Sequence, residues 1–176
     1  MEDEADSRPT TMSLETLPPT VKSVLESPGT PADRLSNALA AIAAEFAAPT
    51  ATLHRADEGA RLLHMVAHRG LPERLVPLTA KIPFGKGMAG VCVERREPVT
   101  ICNLQTDASG IVRPGAKETG VAGAISVPIF GREARLLGTF GIGKPGEHDY
   151  SAEETATLVE CARLMAPLVA ELGGGA

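Results

Sequence analysis

The chain has 176 residues, a formal net charge of −5, three cysteines, one tyrosine and no tryptophan. That length suits one domain with a tail, and the acidic balance, spread along the sequence, leaves no basic footprint for nucleic acid. No apolar run approaches the ~20 residues needed to span a bilayer, and an acidic start with irregularly spaced cysteines predicts a reducing, cytoplasmic setting without membrane attachment.

Residues 1–19 are acidic and rich in Ser, Thr and Pro, which predicts a disordered tail. Residues 20–32 read as a short helical or linker segment broken at Pro28-Gly29. Thr30-Pro31-Ala32-Asp33 then has the form of a helix start: a capping hydroxyl, a proline in the first turn and a carboxylate beside the dipole. Leu35, Leu39, Ile42 and Phe46 form one apolar stripe on that helix, which Pro49 is expected to end. Two strands, Ala51 to Ala56 and Arg61 to His68, flank the turn Asp57-Glu58-Gly59, and Leu71 to Leu78 reads as a short helix.

The run Ile82-Pro83-Phe84-Gly85-Lys86-Gly87-Met88-Ala89-Gly90-Val91 contains G-x-G-x-x-G, the dinucleotide fingerprint. That motif needs a full strand before it, a crossover helix after it and a second parallel strand. Pro83 interrupts the approach and Pro98 limits the following helix to about two turns, so the fingerprint is rejected even though Asp107 falls about 20 residues beyond Gly87. A kinase glycine loop is excluded as well, because Cys92 stands at its valine position and no H-R-D or D-F-G follows. The bland reading of Gly85 and Gly87 is backbone geometry, with anion binding at the amides of Met88 to Val91 as the alternative.

Pro98 to Cys102 reads as a strand and Asn103 to Gly120 as a long loop with turns at Asp107-Ala108-Ser109-Gly110 and Pro114-Gly115. Strands Ala122 to Phe130 and Leu136 to Lys144 follow, joined through Gly131-Arg132-Glu133. Ser151 and Glu154 form a capping box for a last helix whose stripe is Leu158, Cys161, Met165, Leu168 and Leu172. Pro167 is expected to kink or shorten it, and residues 173–176 to fray. Hairpin links imply an antiparallel sheet with the terminal helices covering one face, an α+β sensor-like domain.

Taken in order, the glycine segment, Glu97-Pro98-Val99-Thr100-Ile101 with Asp107, Ala124 to Ile129, Leu137 to Ile142, and Tyr150-Ser151-Ala152-Glu153-Glu154 resemble the GAF domain family over about residues 33–172. The resemblance implies a GAF/PAS-like sheet of five or six antiparallel strands, N- and C-terminal helices on one face, and a small-molecule pocket on the other. Alternation agrees with this division. Ile125, Val127, Ile129, Phe140 and Ile142 are the bulky set, and Ala122, Ala124, Ser126, Thr139, Gly141 and Gly143 are the small set. The small face either leaves room for a ligand or is filled by the overlying loop. Phe84, Met88, Val91, Ile101, Asn103, Asp107, Arg113, Lys117, Ala124, Ser126 and Thr139 are the candidate ligand-binding residues. Arg113, Lys117 and Asp107 would hold a zwitterion or an anion.

The resemblance also brings in an enzyme. Free-methionine-(R)-sulfoxide reductases are built on a lone GAF domain and carry a cysteine just before the last glycine of the segment, where this chain has Ala89. They carry another in the long loop, where residues 103–120 contain none. Cys92 and Cys102 are displaced from those positions, so no catalytic residue is carried over unless these two converge as a redox pair. Bilin binding is not supported, since Cys102 is followed by Asn103, and Asn103 to Asp107 does not reproduce the N-K-F-D signature of cyclic-nucleotide binders. His64 and His68 are expected on one face of a strand, about 13 Å apart, too far for one zinc; neither a metal nor a haem site is supported. His148 is expected to be solvent-exposed. The leading expectation is a small-molecule-binding sensory domain that works through conformation. With no output domain in the sequence, its signal would pass to a partner protein or across a homodimer. The alternatives are the thiol enzyme and a ligand-free interaction module.

Overall fold

A computed structural model of the chain describes residues 14–174. Most of the predicted acidic tail, residues 1–13, lies outside the described residues, as do residues 175–176. The first helix, α1 (Leu17–Leu25), begins inside the stretch read as tail and buries Leu17, Val21 and Leu25. Its prolines fall in the first turn, where the missing N–H groups would have had no helical partner. Composition therefore outweighed a genuine four-residue apolar spacing in the sequence reading.

Thr30 caps α2 (Pro31–Glu45), accepting from the Asp33 N–H at 3.1 Å. The helix ends before Pro49. Ala47 takes a left-handed conformation (φ 47°), Ala48 N–H bonds back to Ala43 C=O at 2.8 Å, and Ala47 N–H to Ala44 C=O at 3.1 Å. This paired closure satisfies the last carbonyls and turns the chain into the sheet. Strands β1 (Thr50–Asp57) and β2 (Leu62–Arg69) form the expected hairpin, with Asp57 Oδ1 accepting from Ala60 N–H at 2.9 Å. A 3₁₀ turn (Glu73–Leu75) and one turn of helix, α3 (Val76–Thr79), lead into β3 (Lys81–Pro83), a short strand the sequence reading did not separate.

The glycine segment then turns β3 into α4 (Gly87–Arg95). Gly85 and Gly87 have φ of 80° and 63°. A Cβ on Gly90 would lie 2.4 Å from Pro83 O, so this turn is closed by backbone approach. Strand β4 (Val99–Ile101), a one-turn helix α5 (Pro114–Lys117) within the long loop, β5 (Gly123–Phe130) and β6 (Leu136–Lys144) follow. Helix α6 (Ala152–Leu172) carries the complete Ser151–Glu154 capping box. It continues through Pro167, which sits on the exposed side of the helix.

The six strands make one antiparallel sheet in the order β3-β2-β1-β6-β5-β4. No parallel βαβ unit surrounds the glycine segment, which removes the dinucleotide fold. The bulky set of β5 and β6, with Leu53, packs under α1, α2 and α6 in one core. The apolar stripes of α2 and α6 are thereby covered within the chain. A bulge between β1 and β2 pairs His68 with Thr52 but His64 with Arg55, so the two histidines fall on opposite faces. His148 is half-buried: its Nε2 lies 3.0 Å from Glu154 Oε2, and its ring meets Tyr150 edge-on at 4.6 Å. Among the described residues no group of three His, Cys, Asp or Glu could hold a metal, and no helix is long and apolar enough to cross a membrane.

Candidate functional site

The face of the sheet turned away from the helices bears a cavity of about 290 Å³. Its size is near the lower end for small-molecule sites. Alternation builds the floor: Thr50, Thr52 and His54 from β1, Gly141 and Gly143 from β6, Ala124 and Ser126 from β5. The two glycines keep it low. A Cβ at Gly141 would sit 3.0 Å from both Ile125 O and Ser126 Oγ, and one at Gly143 would sit 2.6 Å from Thr50 Oγ1. One wall is Leu71, Leu75, Leu78 and Thr79, and another is the start of α4, Gly87 to Ala89. The long loop supplies the cover through Leu104, Val112 to Ala116, Thr119 and Val121.

The cover is braced by its own side chains. Gln105 Nε2 donates to the Lys117 and Val121 carbonyls at 3.0 and 2.8 Å, and Leu104 N–H to Ala122 O at 2.7 Å. One exposed ion pair, Arg74 Nε to Glu118 Oε2 at 3.3 Å, links the wall to the cover. Such a pair contributes at most about 1 kcal/mol, so the two segments are fastened lightly. Leu78 stands at the edge of the cavity, 59 % exposed, an apolar side chain held in water.

Of the sequence candidates, Met88, Arg113, Ala124 and Ser126 line the cavity. The others have different surroundings. Phe84 packs with Leu63, Ile82 and Val93 beneath the Arg61 guanidinium, 5.2 Å from its ring centre. Ile101 is buried with Leu104, Val121 and Ala124 behind the cover. Val91 is half-buried on α4. Asn103 bridges Glu147 at 2.8 Å and the Gln105 N–H at 2.9 Å, while Asp107 caps its own turn through Ser109. Lys117 is exposed, and its carbonyl accepts from Gln105. Arg113, Lys117 and Asp107 are therefore not gathered around the cavity: only Arg113 lines it, exposed and beside Gly87. Thr139 is buried on the cavity side of β6 but under α4, donating to Val127 O at 2.8 Å, with Cys92 Sγ 3.6 Å away.

Sequence reasoning weighed His54 only as a metal ligand. It is 1 % exposed, lines the cavity, and has Nε2 2.8 Å from the Thr79 carbonyl oxygen. A carbonyl only accepts, so Nε2 carries the hydrogen and Nδ1 is a bare lone pair. Burial lowers the pKa of this imidazole; the Thr79 bond works the other way, and His64 lowers it further. The ring is thus neutral at pH 7. The alternation that placed Ala124 and Ser126 also places Thr52 and His54 on this floor, once β1 is known to pair with β6.

No cysteine lines the cavity. Burial pushes the Cys92 and Cys161 thiols up to about 12, which keeps both protonated at neutral pH. Cys102 is exposed at the end of β4, where residual desolvation and the nearby Asp149 and Glu147 carboxylates raise its pKa.

The fold is shared with solved domains of low sequence identity. The GAF domain of a phosphoenolpyruvate-protein phosphotransferase from Acinetobacter superposes with a TM-score of 0.78 at 16 % identity, covering 93 % of this chain and 98 % of that one. The corresponding domain from Coxiella burnetii gives 0.78 at 22 %, covering 94 % and 98 %. Free methionine-R-sulfoxide reductase from Neisseria meningitidis, solved with its substrate, gives 0.76 at 16 %, covering 98 % of both chains. No curated protein matches the sequence. At these identities the structures speak for the fold alone. The GAF domain family model, however, matches residues 29–170, most of the sequence, and the chain belongs to the GAF domain family.

Proposed function

We propose that this protein is a cytoplasmic sensory or regulatory domain that binds a small molecule in the sheet cavity and passes its occupancy to a partner protein or to a second copy of itself. The observation that carries the reading is the cavity: about 290 Å³ of mostly apolar space over a floor kept low by Gly141 and Gly143. Its floor belongs to the sheet, while its walls and cover come from connecting segments fastened by an exposed ion pair. A molecule touching both would favour the closed arrangement of the cover, and a partner that distinguishes closed from open would read it.

Sulfoxide reduction needs a reactive thiolate at the ligand, and the cysteines do not favour it. None lines the cavity, and Cys92, the nearest in sequence to the glycine segment, is buried and protonated. The test is native mass spectrometry of the full chain as purified from cells, alongside Ser126→Leu, which extends a side chain from the floor into the cavity. A defined extra mass on the wild type that is missing from the variant is the expected result. A bare wild-type mass, together with no thermal stabilisation by a metabolite panel, would leave a closed interaction module instead.

A further inference from the structure

The polar groups of the cavity wall are few, and two of the buried ones have unfilled hydrogen-bonding positions. His54 Nδ1 is buried and without a partner among the described residues. Ser126 is 6 % exposed, and its hydroxyl makes no hydrogen bond among the described residues. By contrast, the Thr50 and Thr79 hydroxyls, on the same lining, are both engaged with backbone carbonyls. The strand register places the unfilled pair on either side of Gly141, which faces Thr52 on β1 and Ser126 on β5, with His54 one pleat along β1. Buried polar groups left unpaired are costly, and a protein keeps them where something else completes them.

The charges of the lining limit what that something is. Among the described residues no Asp, Glu or Lys lines the cavity, and the one permanently charged side chain that does, Arg113, is exposed. A buried ammonium would have no counter-charge, and a buried carboxylate would lie against a neutral imidazole whose free position only accepts. The rest of the lining is apolar, from Leu71, Leu75 and Leu78 to Met88, Val112 and Val121.

We infer that the cavity takes an apolar molecule, uncharged in its buried part, that presents a hydroxyl or N–H donor to His54 Nδ1 and a second polar atom to Ser126. This rests on the small-molecule reading above. The hydrogen on Nε2, fixed by the Thr79 carbonyl, gives the site its polarity: donors are preferred at His54 over ethers or esters of the same shape. An acceptor-only ligand would leave Nδ1 unpaired, and that difference is worth about tenfold in affinity.

The test is an NMR titration of the ¹⁵N-labelled full chain with 1-octanol and with methyl heptyl ether, an isomer that lacks a donor, and with octylammonium for charge. Octanol is expected to bind about tenfold more tightly than the ether, to shift the His54 Nδ1 resonance as that nitrogen accepts, and to outcompete octylammonium. His54→Phe should keep ether binding and lose the preference for the alcohol. If that variant fails to fold, the wild-type Nδ1 resonance carries the same information. Equal binding of the two isomers with an unmoved Nδ1 resonance overturns the donor assignment and leaves the small-molecule reading standing. Binding of neither isomer, in a protein that also carries no mass from cells, overturns both.

Discussion

The two faces of the sheet are made from the same strands and do opposite work. On the helix side, Leu53, Val127, Ile129, Phe140 and Ile142 are at most 3 % exposed and close-packed under α1, α2 and α6. On the other side, the alternate residues of those strands are Thr52, His54, Ser126, Gly141 and Gly143, and they border an open cavity. One pleat separates a residue that holds the domain together from one that faces the cavity. Core packing and cavity lining are therefore assigned by parity along the strand, and each should be alterable with little effect on the other.

The comparison is broken most directly by Phe140→Ala. Removing that ring from the helix-side core should cost about 3–5 kcal/mol in urea denaturation. A loss below about 1 kcal/mol, within reach of an ordinary surface change, would mean that the helical layer does not carry the stability assigned to it. Ser151→Ala removes the reciprocal cap of α6, in which Ser151 Oγ accepts from Glu154 N–H at 3.0 Å and Glu154 accepts from Ser151 N–H at 2.8 Å. It should lower stability by about 1 kcal/mol and leave any bound mass in place.

The same cap sets an acid limit. Burial acts to raise the Glu154 carboxyl, but the Ser151 N–H bond and His148 outweigh it and hold its pKa below the usual 4.5. A depressed carboxyl stabilises the fold above its unfolded pKa and loses that contribution as pH falls through the folded one. Glu154→Gln should accordingly flatten the stability profile measured across pH 5 to about 3.

On the cavity face, Ser126→Leu should abolish ligand binding yet change stability by no more than about 1 kcal/mol, since it enters open space instead of overfilling a packed core. His54 sharpens the contrast through pH. Its pKa is lowered below 6.5 by burial, so under that pH the unfolded chain takes up a proton that the folded one refuses. Stability should decline as pH drops below 6.5, and His54→Phe should remove that part of the slope. The smallest effect belongs to Cys102→Ser. This exposed thiol lines no cavity, and its removal should leave ligand mass unchanged and stability within about 0.5 kcal/mol.

Where local chemistry decides, the sequence was readable. Thr30 and Ser151 announced their helices through side chains that reach their own first turn, and β6 runs from Leu136 to Lys144 as its alternation implied. Where closure depends on backbone shape, it was not. Ala47 ends α2 in a left-handed conformation that alanine rarely adopts, and nothing in its identity signals this. The bulge that reverses His64 relative to His68 is equally silent, because one extra residue in a strand leaves composition and hydropathy unchanged. The candidate site divides in the same way. Ala124 and Ser126 were legible as the small set of one strand, whereas His54 joined them only through the pairing of β1 with β6, some 85 residues apart by register (His54 with Thr139).

The sequence by itself determined the order of the main strands and of the helices α2, α4 and α6, the parity that sorts bulky from small side chains, and the glycine turn that leads into α4. Each is a matter of residues within a few positions of one another. Tertiary structure alone decided which strands lie side by side, that Arg113 comes to the cavity while Asp107 and Lys117 do not, and that the Thr79 carbonyl fixes the hydrogen of His54. Those facts depend on segments far apart in the chain meeting across the sheet. A local pattern can prescribe which side of a strand a residue faces, but not what the rest of the chain places above it.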